Sequence, residues 1–427
     1  MSKTPIKPEN LPERLIWYYL IGTYLFYLLG AQSVVAPILA TFLIFYLLNK
    51  WLNQTEKTST DEKIKISLSS WVWFIATLVI EFALIVGHLD FDLGTSTIIR
   101  STSNWYRGWV LFTFFIFAGH LNIRPQVIYR ATCIVCLQSL IVLLVASLAI
   151  LAKIPPIVLT SPLKVFGGNL ESYNIVLFYI IDEGKARVQL FAPWAPALGF
   201  VANIYFCFAL QESNLKWRWF GLFGSVAMIV LSVSRLAIIT PPIVLGSVWL
   251  LTNFFRPWVQ LTAGFISMIL GIFAPMVIDF LEMFKEQFHK ARAGSSEVRA
   301  ALRRMAKDAW WNEAPIWGHG AIELRGPALV GHIPIGTHHT WFGTLYTQGL
   351  VGCAALAVAF LASFIELLTR AQTEQNAKVG LSVILVILLF TTADNIDTYS
   401  YLYWPGLVIL GIALKPNSVL TDTTSFD

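Results

Sequence analysis

Two adjacent histidines lie where a long polar stretch of the chain meets an apolar one. His338 ends the polar segment 280–338, and His339 begins the apolar run that extends to Glu366. An imidazole has an ordinary pKa of about 6.5, so near neutral pH it can take a proton from a hydroxyl group. The pair is therefore a candidate general base, and the alternative for either histidine is a capping or structural role.

Three arginines near the apolar runs are candidates for holding an anion. Arg187 precedes an apolar run, Arg235 is wedged between two such runs, and Arg299 lies within the polar segment. Guanidinium groups bind phosphate oxygens through paired hydrogen bonds. The alternative for a boundary arginine such as Arg235 is that its head group reaches lipid phosphate at the membrane surface.

The composition indicates which elements must position these residues. Hydrophobic residues make up 56% of the chain and charged residues 13%, and the mean hydropathy is +0.65. These values are typical of a polytopic membrane protein. All four cysteines fall inside apolar runs, which favours neither a disulfide framework nor a zinc site. The net charge of +5 reflects orientation signals and does not indicate nucleic-acid binding.

Apolar runs long enough to cross a membrane recur along the chain, and we predict an all-α fold of about twelve transmembrane helices. The chain divides into nine helices within 1–279, the polar segment 280–338 before the tenth span, three helices within 339–414, and a polar cytoplasmic tail, 415–427. The predicted spans lie near 15–30, 33–48, 71–88, 105–119, 128–152, 191–210, 219–233, 236–251, 258–279, 339–367, 379–393 and 401–414.

Lysine and arginine residues in short loops predict the orientation, because they favour the cytoplasmic side. With the N-terminus inside, the inner loops carry roughly half of the basic residues, and the long segment 280–338 falls outside. The same arrangement puts 153–190, the turn at Arg235 and the turn Asp394 to Asp397 on the outer face.

The polar segment itself is predicted to contain a helix over 282–311, because this stretch lacks proline and spaces its apolar residues helically. Such a basic amphipathic helix most often lies on a membrane surface. The turn from Pro315 to Gly320 ends it. The side of this helix opposite its apolar residues carries Arg299, Arg303, Arg304 and Lys307.

The histidine pair and this turn resemble motifs of one membrane glycosyltransferase family. His338, with Gly349 and Gly352, resembles the histidine motif of the O-antigen ligase and O-antigen polymerase (Wzy-type) superfamily. The turn from Pro315 to Gly320 resembles its loop element of a proline, two apolar residues, a glycine, any residue and a glycine.

The arginines also match the motifs of this superfamily. Arg299, about sixteen residues before Pro315, resembles its loop arginine. Ser234-Arg235 resembles its serine-arginine turn, and Arg187 resembles an arginine element before an earlier span. The residue after the motif histidine is usually a small amide or hydroxyl residue, whereas here it is a second histidine. The two histidines could therefore exchange roles, and the spacing to the glycines assigns the motif histidine to the first.

The resemblance implies a GT-C-like glycosyltransferase in the bacterial cytoplasmic (inner) membrane, with its active site facing the periplasm. Its implied donor is an undecaprenyl-diphosphate-linked glycan, its acceptor is a lipid A core, another glycan or a protein, and no metal or cofactor is expected. The roles implied for individual residues are a general base for His338, diphosphate binding for Arg187, Arg235 and Arg299, and support for His339, Arg303 and Asp394.

Several alternatives stay open at this point. A ligase and a polymerase share the donor chemistry and differ only in the acceptor, so the motifs do not separate them. A transporter for lipid-linked glycans would need charged residues along a path through the spans, and such residues are sparse here. The carboxylate that orients the histidine is open among Asp394, Asp397, Glu171 and Glu313.

Overall fold

The computed structural model describes residues 6–416 except 56, 58, 60–62, 181–185, 277, 280–281, 284–292 and 323–324. The described part of the chain is mainly helical. The helices are α1 (Leu11–Ile21), α2 (Thr23–Leu28), α3 (Gln32–Leu52), α4 (Leu68–Asp90), α5 (Thr95–Trp105), α6 (Leu111–Ala118), α7 (Pro125–Leu151), α8 (Ala195–Gln211), α9 (Leu215–Leu231), α10 (Arg235–Asn253), α11 (Pro257–Ile272), α12 (Ala293–Glu313), α13 (Thr340–Arg370), α14 (Gln375–Thr391) and α15 (Ser400–Leu414).

Five of these helices are long and apolar enough to cross a membrane, within the part of the chain that the structure describes: α3, α4, α7, α10 and α13. The shorter apolar helices α8, α11 and α14 accompany them. Large apolar side chains on the outer faces of the helices, such as Phe45, Leu144 and Leu361, are exposed. That pattern fits a lipid surrounding, because lipid takes the place of a protein core on these faces. The exact number of crossings, predicted as twelve, stays a prediction.

The first predicted span, near 15–30, is interrupted. Gly22 ends α1 and stands directly before α2, which runs from Thr23 to Leu28. The predicted span near 105–119 is also composite, since the end of α5 continues through a π-helical turn at Tyr106–Val110 into α6. Helix α5 is amphipathic and precedes the apolar part of this run.

The polar segment 153–190 contains the described strands, which the all-α prediction did not include. Strand β1 (Leu159–Thr160) pairs with β2 (Asn174–Ile175), and β3 (Phe178–Ile180) pairs with β4 (Ala186–Val188), both antiparallel. Tyr27 anchors this segment to α2: its hydroxyl donates to the carbonyl of Val176 over 2.7 Å and accepts from the Val176 amide over 2.5 Å.

At the opposite end of the bundle, ion pairs join the helix termini. The guanidinium of Arg130 binds the carboxylate of Glu212 through both Nε (3.0 Å) and Nη2 (2.8 Å). Arg124 binds Glu13, Nε to Oε1, over 2.8 Å. Both pairs lie near the helix ends that the distribution of basic residues predicts to be cytoplasmic.

Helix α13 carries the histidine motif and is held centrally in the bundle. It packs along α4 and beside α14, and Trp73 of α4 donates its indole hydrogen to Ser363 of α13 over 2.8 Å. Helix α15 packs against α6 and α14. The connection between α14 and α15, residues 392–399, therefore lies beside the start of α13.

Candidate active site

Helix α13 breaks at Gly349, and the polar segment docks into the break. Gly349 has φ of +63° and ψ of −161°, which only glycine adopts without strain. The amides of the next two residues, Leu350 and Val351, cannot complete the helix ladder and instead donate to the carbonyls of Pro315 (3.0 Å) and Ile316 (3.2 Å). A Cβ at Gly349 would lie 2.3 Å from the carbonyl oxygen of Ile316. Gly349, the glycine of the histidine motif, is thus the joint at which the polar segment docks onto α13.

The glycines of the Pro315–Gly320 turn complete this joint. Gly318 and Gly320 have φ of +73° and +76°. A Cβ at Gly318 would lie 2.5 Å from the amide nitrogen of Gly349, and one at Gly320 would lie 2.5 Å from the amide nitrogen of His88 in α4. The two glycine motifs therefore fit one another directly, and both press against α4.

The side chain of His319 holds the same turn in place. Its Nε2 lies 2.9 Å from Oε2 of Glu313, and its ring stacks on Tyr346 at 4.4 Å between centroids. Glu313, one of the carboxylates considered for the motif histidine, is therefore engaged with His319 instead.

The second histidine of the pair, His339, caps helix α13. Its backbone amide donates to Oδ1 of Asn395 over 2.9 Å, and its Nδ1 accepts from the amide of Phe342 over 3.4 Å. Burial lowers the pKa of His339 to about 4, with a smaller contribution from the positive charge of Arg303. The amide and hydroxyl residues usual at this position are good helix caps, so the departure from the family motif keeps the same structural task.

The first histidine, His338, stays available. It has φ of +63° and is partly buried, and no described residue makes a hydrogen bond to its ring. Burial lowers its pKa, the positive charge of Arg299 lowers it further, and the negative charge of Asp394 acts in the opposite direction. The net shift favours the neutral form of the imidazole, which is the form that can accept a proton.

Helix α12 delivers two arginines to this pair. Leu302 and Ala306 are each 1% exposed and pack the helix toward α13. On a neighbouring face, Nη1 of Arg299 donates to the carbonyl of Ala393 over 3.3 Å. The predicted helix over 282–311 is confirmed from Ala293, and it extends to Glu313; residues 284–292 of the prediction lie outside the described residues. The charge of Arg303 reaches His339.

Asp394 connects the site to α8 and α13. Its Oδ2 accepts the indole hydrogen of Trp194 over 2.8 Å, and its carbonyl accepts the hydroxyl of Thr340 over 2.7 Å. Of the four carboxylates considered, it is the one whose charge acts on His338. Burial raises the pKa of Glu171 and raises that of Asp397 to about 6, and the charge of Asp394 adds to both shifts.

Arg187 lies on strand β4, opposite Tyr179 of β3. Its Nη1 donates to the hydroxyl of Tyr179 over 3.3 Å, whereas its buried Nε has no hydrogen-bond partner among the described residues. No described carboxylate lies within ion-pair distance of it. A buried donor without a partner is costly unless a ligand completes it.

Arg235 is the first residue of α10. Ser234 caps this helix, with its hydroxyl 3.4 Å from the amide of Ala237, and Val233 has φ of +51°. Gly199 of α8 allows the serine-arginine turn to approach closely, since a Cβ there would lie 2.6 Å from the Cβ of Ala237. The serine-arginine turn is thus held against the helix that also carries Trp194 at its start.

Sequence reasoning missed Trp194, and it included Asn395 in the turn Asp394 to Asp397 without giving it a role. Both act through contacts between parts of the chain far apart in sequence. Among the described residues, no group of three or more His, Cys, Asp or Glu side chains is placed to hold a metal ion.

Fold and site together define a multi-pass helical membrane protein with a histidine and arginines gathered at one end of its bundle. Residues 220–357, which include Arg235, Arg299 and His338, match the family model for O-Antigen ligase. This match supports the O-antigen ligase and polymerase superfamily and confirms the resemblance predicted from the motifs. No curated protein matches the chain.

Proposed function

We propose that this protein is an O-antigen ligase-like glycosyltransferase. It transfers a glycan from undecaprenyl diphosphate to an acceptor hydroxyl on the periplasmic face of the inner membrane, without a metal ion. The acceptor is a lipid A core, another glycan or a protein. Membership of the superfamily suggests an activity of the ligase or polymerase kind, and the residues at the start of α13 support the chemistry proposed below.

The single observation that carries the proposal is the state of His338. Burial and the charge of Arg299 lower the pKa of this imidazole, and its ring nitrogens are without partners among the described residues. A general base must be unprotonated and reachable before the reaction begins. His339 does not meet the second condition, because its Nδ1 is used as a helix cap.

Arg187 and Arg299 supply positive charge that no described carboxylate neutralises. Among the described residues, the buried Nε of Arg187 has no partner and Arg299 binds only the backbone carbonyl of Ala393. Arg235 adds a third guanidinium at the first turn of α10. A diphosphate leaving group carries several negative charges, so preorganised guanidinium groups stabilise it as the bond to the sugar breaks.

The proposed step is a single displacement. His338 takes the proton from the acceptor hydroxyl while that oxygen attacks the anomeric carbon. The bond from the anomeric carbon to the phosphate oxygen breaks, and its electron pair leaves with the lipid diphosphate. Attack opposite the leaving group inverts the anomeric centre. Asp394 stabilises the imidazolium that forms, because its charge favours the protonated ring.

Transfer by the purified protein in lipid nanodiscs tests the arginine roles. With a labelled undecaprenyl-diphosphate glycan as donor, we expect Arg187→Gln and Arg299→Gln each to lower the rate by about 10²–10³-fold, the usual effect of removing one preorganised donor to developing negative charge. The matched control is Arg304→Gln, which removes an exposed guanidinium from the same helix as Arg299 and is expected to keep the wild-type rate. Equal rates for Arg299→Gln and Arg304→Gln would remove Arg299 from the mechanism.

The gel profile of glycans from a deletion strain separates the ligase from the polymerase. Long glycans accumulating on the lipid carrier, with a bare acceptor, indicate a ligase. Single repeat units on an otherwise normal acceptor indicate a polymerase, and an unchanged profile contradicts both.

A further inference from the structure

A chamber of about 440 Å³ opens beside the motif histidine and is not used by the chemistry described above. Its wall is formed by α5 and the π-helical turn, the segment 168–173, the loop at 320–322, the first turns of α13 and the connection between α14 and α15. The volume is that of a small-molecule site, which typically measures about 300–1,000 Å³.

The chamber reaches the histidine pair through shared residues. Thr340 and Asn395 line it, and Asn395 accepts the backbone amide of His339 over 2.9 Å. Thr340 stands two residues after His338. A ligand in this chamber would therefore contact Thr340 and Asn395, which adjoin the histidine pair in the sequence and through the His339 amide.

The lining combines flat aromatic surfaces with hydrogen-bonding groups. Trp105, Trp109 and Tyr401 supply the aromatic surfaces, and Asn104 and Gln348 supply amides. Asn104 is exposed and makes no hydrogen bond to any described residue. A pyranose has apolar C–H faces and a polar rim of hydroxyl groups, so this mixture of surfaces suits a sugar ring.

The charge of the lining is positive. Arg100 has no hydrogen bond or ion pair with any described residue. Arg107 is held by backbone carbonyls of Phe166 and Gly167 and by the hydroxyl of Tyr173, at 3.3 Å, so its charge is oriented but not neutralised. Asp397 is the one carboxylate among the lining residues. Two guanidinium groups against one carboxylate favour an anionic ligand.

We infer that this chamber binds the acceptor, as a saccharide unit that carries a carboxylate or a phosphate group. Arg100 and Arg107 bind the anionic group, the tryptophans cover the face of the ring, and Asp397 accepts a sugar hydroxyl. The assignment to the acceptor rests on the proposed function, whereas the binding of an acidic saccharide does not. The chamber is a separate site from the arginines proposed to hold the diphosphate.

Binding to the full chain, purified in detergent and followed by calorimetry, tests this inference. The probes are an acidic tetrasaccharide of glucuronic acid and N-acetylglucosamine, maltotriose carrying one phosphate, and neutral oligosaccharides of matched length. We expect at least one acidic probe to bind about tenfold more tightly than its neutral counterpart. The tighter of the two acidic probes identifies the anionic group. Equal binding of acidic and neutral probes overturns the inference.

Two pairs of variants locate the site. Arg100→Gln is expected to weaken the acidic probe about tenfold, whereas Lys164→Gln, which removes an exposed charge outside the lining, leaves it unchanged. Thr344→Phe fills the chamber and abolishes binding, whereas Thr344→Val keeps the volume. Thr344 suits this test because, within the described part of the chain, its hydroxyl binds only the Thr340 carbonyl, over 2.9 Å. Equal affinities within both pairs overturn the inference.

Retention of undecaprenyl diphosphate by the same samples distinguishes the two proposals. If Arg299→Gln loses the lipid diphosphate and the chamber variants lose only the saccharide, both stand. If binding of the saccharide depends on Arg100 but retention of the lipid diphosphate does not depend on Arg299, the proposed function fails and the inference about the chamber stands. If retention of the lipid diphosphate depends on Arg299 but binding of the saccharide does not depend on Arg100, only the inference about the chamber is overturned.

Discussion

Replacing His338 by glycine is expected to remove activity without reducing stability. His338 has φ of +63°, a region that L-residues adopt at a cost of about 1–2 kcal/mol, whereas glycine enters it freely. A glycine also loses roughly 0.5–1 kcal/mol more on folding, because the unfolded chain has more freedom. The net change in the free energy of unfolding is therefore between zero and about 1.5 kcal/mol in favour of the variant.

The expected effect of the same substitution on the rate of glycan transfer is much larger than its effect on stability. A general base contributes about 10²–10⁴-fold to the rate, and His338→Gly has no group that takes the proton. His338→Asn provides a second variant, since asparagine also tolerates positive φ but is not a base. We expect kcat to fall by about 10²–10⁴ in both variants, with a melting temperature equal to that of the wild type or a few degrees above it.

The matched control is His332→Gly. His332 has the same φ of +63° and lies exposed in the same loop, with its Nδ1 3.2 Å from the carbonyl of Gly326. It lies outside the proposed chemistry, so this variant should gain similar backbone freedom and keep its activity. Thermal unfolding in detergent and turnover of the labelled donor are measured on the same samples.

Two results would refute the reasoning. Wild-type turnover by His338→Gly would show that this imidazole is not the base. A loss of more than about 2 kcal/mol in His338→Gly but not in His332→Gly would mean that the ring of His338 is a structural contact, like that of His339.

Three further predictions concern the joint, the cap and the charge at the site. Gly349→Ala should lower the free energy of unfolding by about 3 kcal/mol or more, because alanine is strained at this positive φ and its Cβ clashes with the docked turn. Limited proteolysis should then cleave within 315–320, which is protected in the wild type. A turn that stays fully protected in the variant would contradict the docking. Because the pKa of His339 is about 4 when folded and about 6.5 when unfolded, its contribution to stability is complete above pH 6.5 and is lost as pH falls toward 4; His339→Asn should flatten the dependence of chemical denaturation on pH in that window. Arg299→Gln should raise the pKa of His338, so the pH of half-maximal residual transfer should move upward, and an unchanged profile would separate the two residues.

The sequence determined the class of fold because lipid leaves few choices. Apolar runs must form helices that satisfy their own backbone groups, and a helix lies in each run that was predicted as a span. The interruption at Gly22 was not predicted, because a single glycine hardly lowers the mean hydropathy of an apolar run. The short strands at 159–188 were also missed, since pairs of two or three residues leave almost no periodic pattern.

For the site, the sequence provided the residue types and their spacing. It indicated His338 by its distance from Gly349, and the turn at 315–320 by its proline and glycines. The physical role of those glycines emerged only from the tertiary structure, in which the turn supplies acceptors to the amides freed by the break in α13. Spacing along a chain does not reveal that two motifs are complementary surfaces.

The sequence by itself determined that two histidines and several arginines stand near the ends of apolar runs. The spacing to Gly349 favoured His338 over His339, but only the tertiary structure gave the physical difference: the ring of His339 caps a helix, whereas the ring of His338 has no hydrogen-bond partner among the described residues. The tertiary structure likewise selected Asp394 from four carboxylates, through contacts with Trp194 and Thr340 that join distant parts of the chain. Hydropathy acts locally and can be read from sequence, whereas hydrogen bonding and electrostatic shifts depend on neighbours that folding alone brings together.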